Sequence, residues 1–200
     1  MRCATAGTAT SSVFRIDELA PGLRRWTAWH EEWKQDVGSL ALDTSDGLIL
    51  IDPLDPPREL RSPEHVLLTV FWHGRSTKDV DAKHVWAPAR SAQPLRNRGI
   101  AVTDVVRGGD ELPGGVGSFQ TPRVSEVVFW LPEHRAAVVG DVLLGSPLRL
   151  CPERWLGKPT HDDLRASLQP LLELPVERVL VSHGEPVLSG GRAALAAVLA

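Results

Sequence analysis

The chain has 200 residues, of which 42% are hydrophobic and 24% charged, an ordinary balance for a globular protein. Its formal net charge of −3 argues against a polyanionic partner, and no basic tract indicates nucleic acid binding. The apolar runs are shorter than the ~20 residues that span a bilayer, and the N-terminal segment lacks a hydrophobic signal core. We therefore predict a cytoplasmic protein with no membrane or nucleic acid partner. The sequence is compatible with a small-molecule ligand, and it does not predict the oligomeric state.

The N-terminal segment, 1–12, is small and polar, and we predict that it is disordered. A single domain is predicted over 13–200. Its first strands are expected at 13–16, 23–29 and 37–42, because apolar and β-branched residues recur there between turn residues.

The middle of the chain holds an almost uninterrupted apolar run, HVLLTVFWHGRS at 65–76. This pattern predicts a strand that is buried on both faces. Gly74 permits a tight turn, and 75–82 is predicted to form a short helix. His73 and Arg75 would then lie at the carboxyl end of the strand, where open α/β sheets place ligands.

Two later segments also end in polar residues. The run AAVVGD at 136–141 ends in Asp141, and RVLVSH at 178–183 ends in His183. Three buried strands with polar tips predict one shared cleft, in which Thr69, Asp141 and His183 lie close together.

Helices are predicted at 89–97 and 189–200, and between them after Thr160. Asp163 follows Thr160 by three residues, which is typical of a capping box, and Pro170 should kink the helix. The two cysteines, Cys3 and Cys151, form no disulfide or metal pattern. Both are predicted to be free thiols, with Cys151 packed in the interior.

This order of strands and polar tips resembles the metallo-β-lactamase fold. The segments GLILIDP at 47–53 and EVVFWLPEHRAAVVGD at 126–141 are similar to hairpins of that family. The resemblance extends over about 13–190. It implies the α/β class, as a four-layer αββα sandwich with a metal site at the edges of its sheets.

The metal motif of the family, THxHxDH, is degenerate in this chain. When Thr69 is aligned with the threonine of the motif, the four ligand positions hold Val70, Trp72, Gly74 and Arg75. None of these residues is a ligand of the family motif.

The lone histidine of the family is missing too, because its place near Pro122 lies in QTPRV at 120–124. Asp141 and His183 remain in register with the family ligands. Two ligands hold zinc poorly, since zinc sites normally offer three protein ligands and water, or four protein ligands. A slip of one residue would recruit His73 and complete a three-ligand set of His73, Asp141 and His183.

The resemblance also implies roles outside the motif. In the family, the connection that corresponds to 30–36 is a loop over the site, which makes His30, Glu31 and Trp33 candidate lid residues. The alternative, which we favour, is a solvated charged loop with its tryptophan packed at the base. Asp52 is expected to brace the metal loop through hydrogen bonds.

Two functions are compatible with these residues. The first, which we favour, is a metal-free pseudo-enzyme or small-ligand-binding protein in which Arg75 pairs with Asp141 and Trp72 fills the vacated space. The second is a hydrolase with one zinc ion on His73, Asp141 and His183, acting on an ester, thioester or lactone, with Arg75 at the oxyanion. Asp141, His183 and Arg75 are the catalytic candidates. The predicted cleft lining comprises Trp72, His73, Arg75, Asp141, His183, Asp52 and His30.

Overall fold

Two β-sheets form the centre of the structure, a computed structural model that describes residues 15–200. The predicted disorder of 1–12 therefore lies outside the described residues. The seven-stranded sheet contains, in both chain and spatial order, β1 (Ile16–Ala20), β2 (Leu23–His30), β3 (Gln35–Thr44), β4 (Gly47–Ile51), β5 (His65–Leu67), β6 (His84–Pro88) and β7 (Asp104–Val106). Strands β1 to β4 pair antiparallel, and β4 to β7 pair parallel.

The second sheet has five strands: β8 (Glu111–Leu112), β9 (Val116–Gln120), β10 (Val127–Leu131), β11 (Ala136–Val138) and β14 (Arg178–Leu180). They lie in the order β14-β11-β10-β9-β8, and a small ribbon pairs β12 (Leu143–Leu144) with β13 (Arg149–Leu150). β11 and β14 are parallel, whereas the other pairs are antiparallel. The parallel pair brings two predicted polar tips to the same edge.

Within residues 15–200, three α-helices cover the outer faces of the sheets: α1 (Ala92–Asn97), α2 (His161–Leu168) and α3 (Gly191–Leu199). The shorter 3₁₀ segments are Arg58–Leu60, Phe71–Gly74, Thr77–Asp79, Pro113–Gly115, Glu153–Trp155 and Gln169–Glu173. Among the residues that the structure describes, no helix is long and apolar enough to cross a bilayer.

The layers follow from the alternation of buried side chains along each strand. On β4, Ile49 and Ile51 pack between the sheets, while Leu50 packs on the opposite face with Leu95 of α1. The outer face of the five-stranded sheet packs against α2 and α3 in a third cluster. The predicted αββα sandwich is thus confirmed.

The central strand is shorter than predicted. β5 ends at Leu67, because the Asp52 carboxylate takes the backbone N–H of Thr69 at 2.9 Å and removes it from the sheet ladder. The chain then forms the 3₁₀ turn Phe71–Gly74, and the helix predicted at 75–82 is only the turn Thr77–Asp79.

Other boundaries differ in detail. The first strand among the described residues is β1 at Ile16–Ala20, and residues 13 and 14 of the strand predicted at 13–16 lie outside the described residues. The capping box of Thr160 and Asp163 is confirmed. At Pro170, which lacks a backbone N–H, the α-helical pattern has already given way to a 3₁₀ turn instead of a kinked α-helix.

Candidate metal centre

The side chains of His73, Asp141 and His183 converge near the carboxyl ends of strands β5, β11 and β14. Val138 of β11 pairs with Leu180 of β14, and Asp141 and His183 each follow by three residues, so parallel pairing places them side by side. Asp141 Oδ1 lies 3.1 Å from His183 Nε2 and 3.1 Å from His73 Nε2. One ligand atom from each of the three residues lies within 4.8 Å of those of the other two.

His73 reaches this point from the 3₁₀ turn that follows β5. Its N–H donates to Val70 O at 3.1 Å, which closes the turn. A Cβ on Gly74 would lie 2.5 Å from Ile100 and 2.6 Å from Leu95, so only glycine lets the turn pack this close to α1. The packing holds His73 fully buried, with an exposed fraction of 0%.

Asp52 fixes the orientation of His73. Its Oδ2 accepts the Thr69 hydroxyl at 2.6 Å and lies 2.8 Å from His73 Nδ1. If the Nδ1 proton is donated to Asp52, Nε2 keeps a lone pair that points toward Asp141. Metal-binding histidines commonly donate their second ring N–H to a carboxylate in this way.

Two of the converging atoms have no well-aligned hydrogen-bond partner among the described residues. His73 Nε2 and Asp141 Oδ1 are buried and 3.1 Å apart, an ion-pair distance, yet neither has the geometry of a hydrogen bond. A tetrahedral zinc ion with bonds of ~2.0–2.1 Å holds its ligands about 3.3 Å apart, so the two separations of 3.1 Å from Asp141 Oδ1 suit such an ion. The donor set, two imidazoles and a carboxylate, is also one that zinc accepts. These residues therefore fit a single zinc ion.

Asp141 is held by two further contacts. Trp72 Nε1 donates to Asp141 Oδ2 at 2.7 Å, as predicted for a tryptophan that fills the place of metal ligands. Asp141 N donates to Glu126 Oε1 at 2.8 Å, and Glu126 is buried and paired with Arg123 at 2.8 Å. Gly140 has a φ of +53°, and a Cβ there would lie 2.7 Å from Glu126 Oε1. The carboxylate is thus positioned from both its side chain and its backbone.

The pKa values of these groups reflect burial and close opposite charges. Burial acts to raise the pKa of Asp141, but His73 and His183 lower it well below its usual range. Burial and the Arg75 charge act to lower the pKa of His73, but Asp141 and Asp52 raise it to about 9. Burial raises the pKa of Glu126 to about 7 against the opposing charge of Arg123. A cation, whether a proton on His73 or a metal ion, is therefore favoured between the carboxylates.

The predicted ion pair between Arg75 and Asp141 is wrong. Arg75 Nη1 donates to the backbone carbonyls of Gly38 at 3.2 Å and Asp52 at 2.9 Å, and the described residues contain no ion pair of Arg75. Arg75 adopts a φ of +34°, which turns its side chain toward the strands that carry these carbonyls. The Arg75 side chain does not point into solvent either, because its Nε and Nη2 atoms are buried.

A cleft of about 520 Å³ opens above the converging residues. It is lined by Trp33, Gln35, Trp72, Arg123, Asp141, Trp155 and His183. His73 and Asp52, predicted as lining residues, lie beneath its floor with exposed fractions of 0% and 2%. His30 and Arg75 line a neighbouring cavity instead.

The loop that follows β2 has features of both predicted alternatives, a lid over the site and a solvated charged loop. Trp33 lies over the site, with its ring centroid 5.5 Å from that of His183 and 6.0 Å from that of His73. His30 stacks on Trp33 at 3.8 Å between ring centroids. Glu31 is exposed and pairs with Lys34 at 3.0 Å. One side of the loop therefore covers the site and the other is solvated.

Three residues of the cleft were not predicted from the sequence: Gln35, Arg123 and Trp155. Arg123 had a signal, because it is the single charged residue in QTPRV at 120–124, the segment where the family carries its lone histidine. Its guanidinium lies over the Trp72 ring, 4.9 Å from the centroid, and donates to the carbonyl of Trp155. Gln35 and Trp155 carried no comparable signal.

No protein-family model matches the sequence, and no curated protein matches it. Solved structures do match, with 176 matching chains. A metallo-β-lactamase from Erythrobacter litoralis, with β-mercaptoethanol in the active site, is similar with a TM-score of 0.70 and 14% identity over 96% of each chain. One from Hirschia baltica has a TM-score of 0.67 and 14% identity over 93% of this chain and 96% of its own. FIM-1 from Pseudomonas aeruginosa, in its mono-zinc form, has a TM-score of 0.63 and 14% identity over 93% of this chain and 94% of its own.

These likenesses establish the class of fold: the chain has the metallo-β-lactamase fold. The low identities make it a divergent example, and they establish the fold alone. What the site does has to be argued from its own residues.

Proposed function

We propose that the protein is a hydrolase that holds one zinc ion on His73, Asp141 and His183 and acts on an ester, thioester or lactone. One observation carries this proposal: three ligand atoms converge, with Asp141 Oδ1 3.1 Å from both His73 Nε2 and His183 Nε2, and two of them are buried without a well-aligned hydrogen bond. Buried polar atoms are usually paired, and one zinc ion would satisfy both.

The surrounding residues support a preorganised zinc site. When bound, zinc supplies Lewis acidity and lowers the pKa of water to near neutrality. Asp52 holds the His73 ring by its second nitrogen, and Trp72 holds one oxygen of Asp141 so that the other faces the imidazoles. Such outer contacts orient ligands and strengthen metal binding.

The cleft gives this site access to a small substrate. Trp33, Trp72 and Trp155 form apolar walls, which exclude water from a bound ester or thioester. Arg123 is the cation that lines the cleft, and its Nε has no partner among the described residues. We therefore assign the stabilisation of a developing oxyanion to Arg123 rather than to Arg75.

A single zinc ion has a precedent among the similar structures, since FIM-1 was solved in a mono-zinc form. The chain offers fewer ligands than the family motif, and three of them suffice for one catalytic zinc ion with an open position.

The second candidate is a metal-free small-molecule-binding protein. It is favoured by the position of His73 between two carboxylates, with Nδ1 2.8 Å from Asp52 Oδ2 and Nε2 3.1 Å from Asp141 Oδ1, which raise its pKa to about 9. With a proton on each ring nitrogen, His73 would compensate the charges of Asp52 and Asp141 and make a metal ion unnecessary. The cleft would then bind a ligand without chemistry.

Metal analysis separates the two candidates. Protein purified without chelator and dialysed against zinc should retain one zinc ion per chain and hydrolyse an aryl acetate or an acyl thioester. His73→Ala should lose both properties, whereas His134→Ala, a matched change in the turn between β10 and β11, should keep them. Zinc-free wild-type protein after this treatment would contradict the proposal and favour the metal-free candidate.

A further inference from the structure

A second cavity of about 300 Å³ adjoins the cleft on the other side of two tryptophans. Trp33 and Trp72 line both spaces. The lining of this second cavity includes His30, Glu32, Arg75, Lys78 and Arg98. Two indole side chains are therefore shared by the candidate reaction site and a cavity of different chemistry.

The second cavity is rich in unpaired positive charge. Arg75, Lys78 and Arg98 are the basic side chains of this lining apart from His30, and none of the three forms an ion pair within the described residues. Glu32 is the one acidic side chain in this lining. In a protein whose net charge is −3, such a local excess of cations attracts anions.

Arg75 offers the strongest anchor for an anion. Its Nη1 is tied to two backbone carbonyls, which fixes the guanidinium in place. Nε and Nη2 are buried and have no partners among the described residues. These two nitrogens form the edge of a guanidinium that binds carboxylate or phosphate oxygens in pairs.

We propose that this cavity binds the carboxylate or phosphate group of a small molecule. The Arg75 guanidinium lies under the Trp33 ring, with Cζ 5.5 Å from the ring centroid. An anion that reaches Nε and Nη2 therefore moves the Trp33 indole, while the exposed Lys78 and Arg98 bind it at the entrance.

This site also defines a substrate class. A molecule whose anionic group occupies the cavity can place an ester, thioester or lactone carbonyl in the cleft beyond the shared tryptophans. That connection rests on the proposed hydrolase function. The binding of the anion does not, because it uses none of the candidate zinc ligands.

Fluorescence titration tests the site with inorganic phosphate and with succinate as probes, at constant ionic strength. We expect saturable binding that alters tryptophan emission, with a smaller change in Trp33→Phe. The double variant Lys78→Gln, Arg98→Gln should bind about tenfold more weakly, the effect of losing two exposed charges. Arg90→Gln, an exposed arginine outside the cavity, should bind as the wild type does.

The outcomes separate this inference from the proposed function. Tighter binding of phosphate would indicate a phosphorylated ligand, and tighter binding of succinate a carboxylate ligand; each supports the site. Absence of saturable binding by both probes, or unchanged affinity in the double variant, would overturn it. If the protein does not bind zinc but still binds the anion after treatment with chelator, only the proposed hydrolase function is refuted.

Discussion

The two sheets contribute to the candidate site in different ways. The five-stranded sheet supplies Asp141 and His183 from equivalent positions after two parallel strands, so backbone pairing places both. The seven-stranded sheet supplies His73 from a turn after β5, where side-chain contacts with Asp52 and Thr69 decide its orientation.

This difference shows two ways of holding a ligand. Residues placed by strand register depend little on single neighbours, whereas a residue on a turn depends on the side chain that braces it. We call the part of the site that carries His73 the turn half, and the part that carries Asp141 and His183 the five-stranded half. The turn half also carries backbone strain, since Asp52 and Arg75 have φ values of +49° and +34°. We expect substitutions to act differently on the two halves.

The largest effect is expected from Glu126→Ala in the five-stranded half. This change leaves Arg123 buried without its partner and removes the acceptor of the Asp141 N–H, at a cost of about 3–5 kcal/mol in the free energy of unfolding. Urea denaturation measures this quantity. Glu126→Gln keeps the shape and an acceptor and should cost less. A loss below about 1 kcal/mol for the alanine variant would show that the buried pair does not brace this half.

Removal of one ligand from each half tests whether both contribute. His73→Ala and His183→Ala should each weaken zinc binding more than about 100-fold. Loss of a residue that only supports a ligand weakens metal binding by about 10- to 100-fold, so a larger loss identifies a ligand. Competition with a chromophoric chelator gives the affinities. Retention of affinity in His73→Ala alone would mean that the turn half supplies no ligand.

A smaller effect on zinc is expected from Asp52→Asn. The amide can still accept from His73 or Thr69 but no longer carries the charge that orients the imidazole, so zinc affinity should fall about 10- to 100-fold. Ser39→Ala is a useful control, because the Ser39 hydroxyl hydrogen-bonds to backbone groups, the carbonyl of Asp52 and the N–H of Leu54. An unchanged affinity in Asp52→Asn would remove the brace from the account.

The last prediction concerns the reactivity of the Cys151 thiol, which lies in the interior of the five-stranded half. Burial raises the pKa of Cys151 to about 11, so thiolate is scarce at about pH 8. In a Cys3→Ser background, labelling by iodoacetamide should be slow in the native protein and fast in urea. Rapid native labelling would show that this half opens far more readily than its packing indicates.

The sequence predicted the fold because strand tips, hairpins and apolar alternation are local features. It also placed Asp141 and His183 together, since both follow buried strands. His73 stayed ambiguous, because its direction depends on where the chain stops being extended after Thr69, and the side chain of Asp52, distant in sequence, decides that point.

The errors have related causes. The ion pair of Arg75 with Asp141 assumed that Arg75 takes the place of the last ligand of the family motif, but the backbone turns at Arg75 and sends its side chain to two carbonyls. Arg123 was missed because its place in the cleft depends on its contact with Trp72, which lies in a distant segment of the chain.

Anomalous diffraction at the zinc absorption edge, from crystals grown with zinc, tests the central claim most directly. We expect one peak within ~2.0–2.2 Å of His73 Nε2, Asp141 Oδ1 and His183 Nε2. The absence of a peak there, with His73 Nε2 hydrogen-bonded to Asp141 instead, would contradict the claim that these three residues form a zinc site.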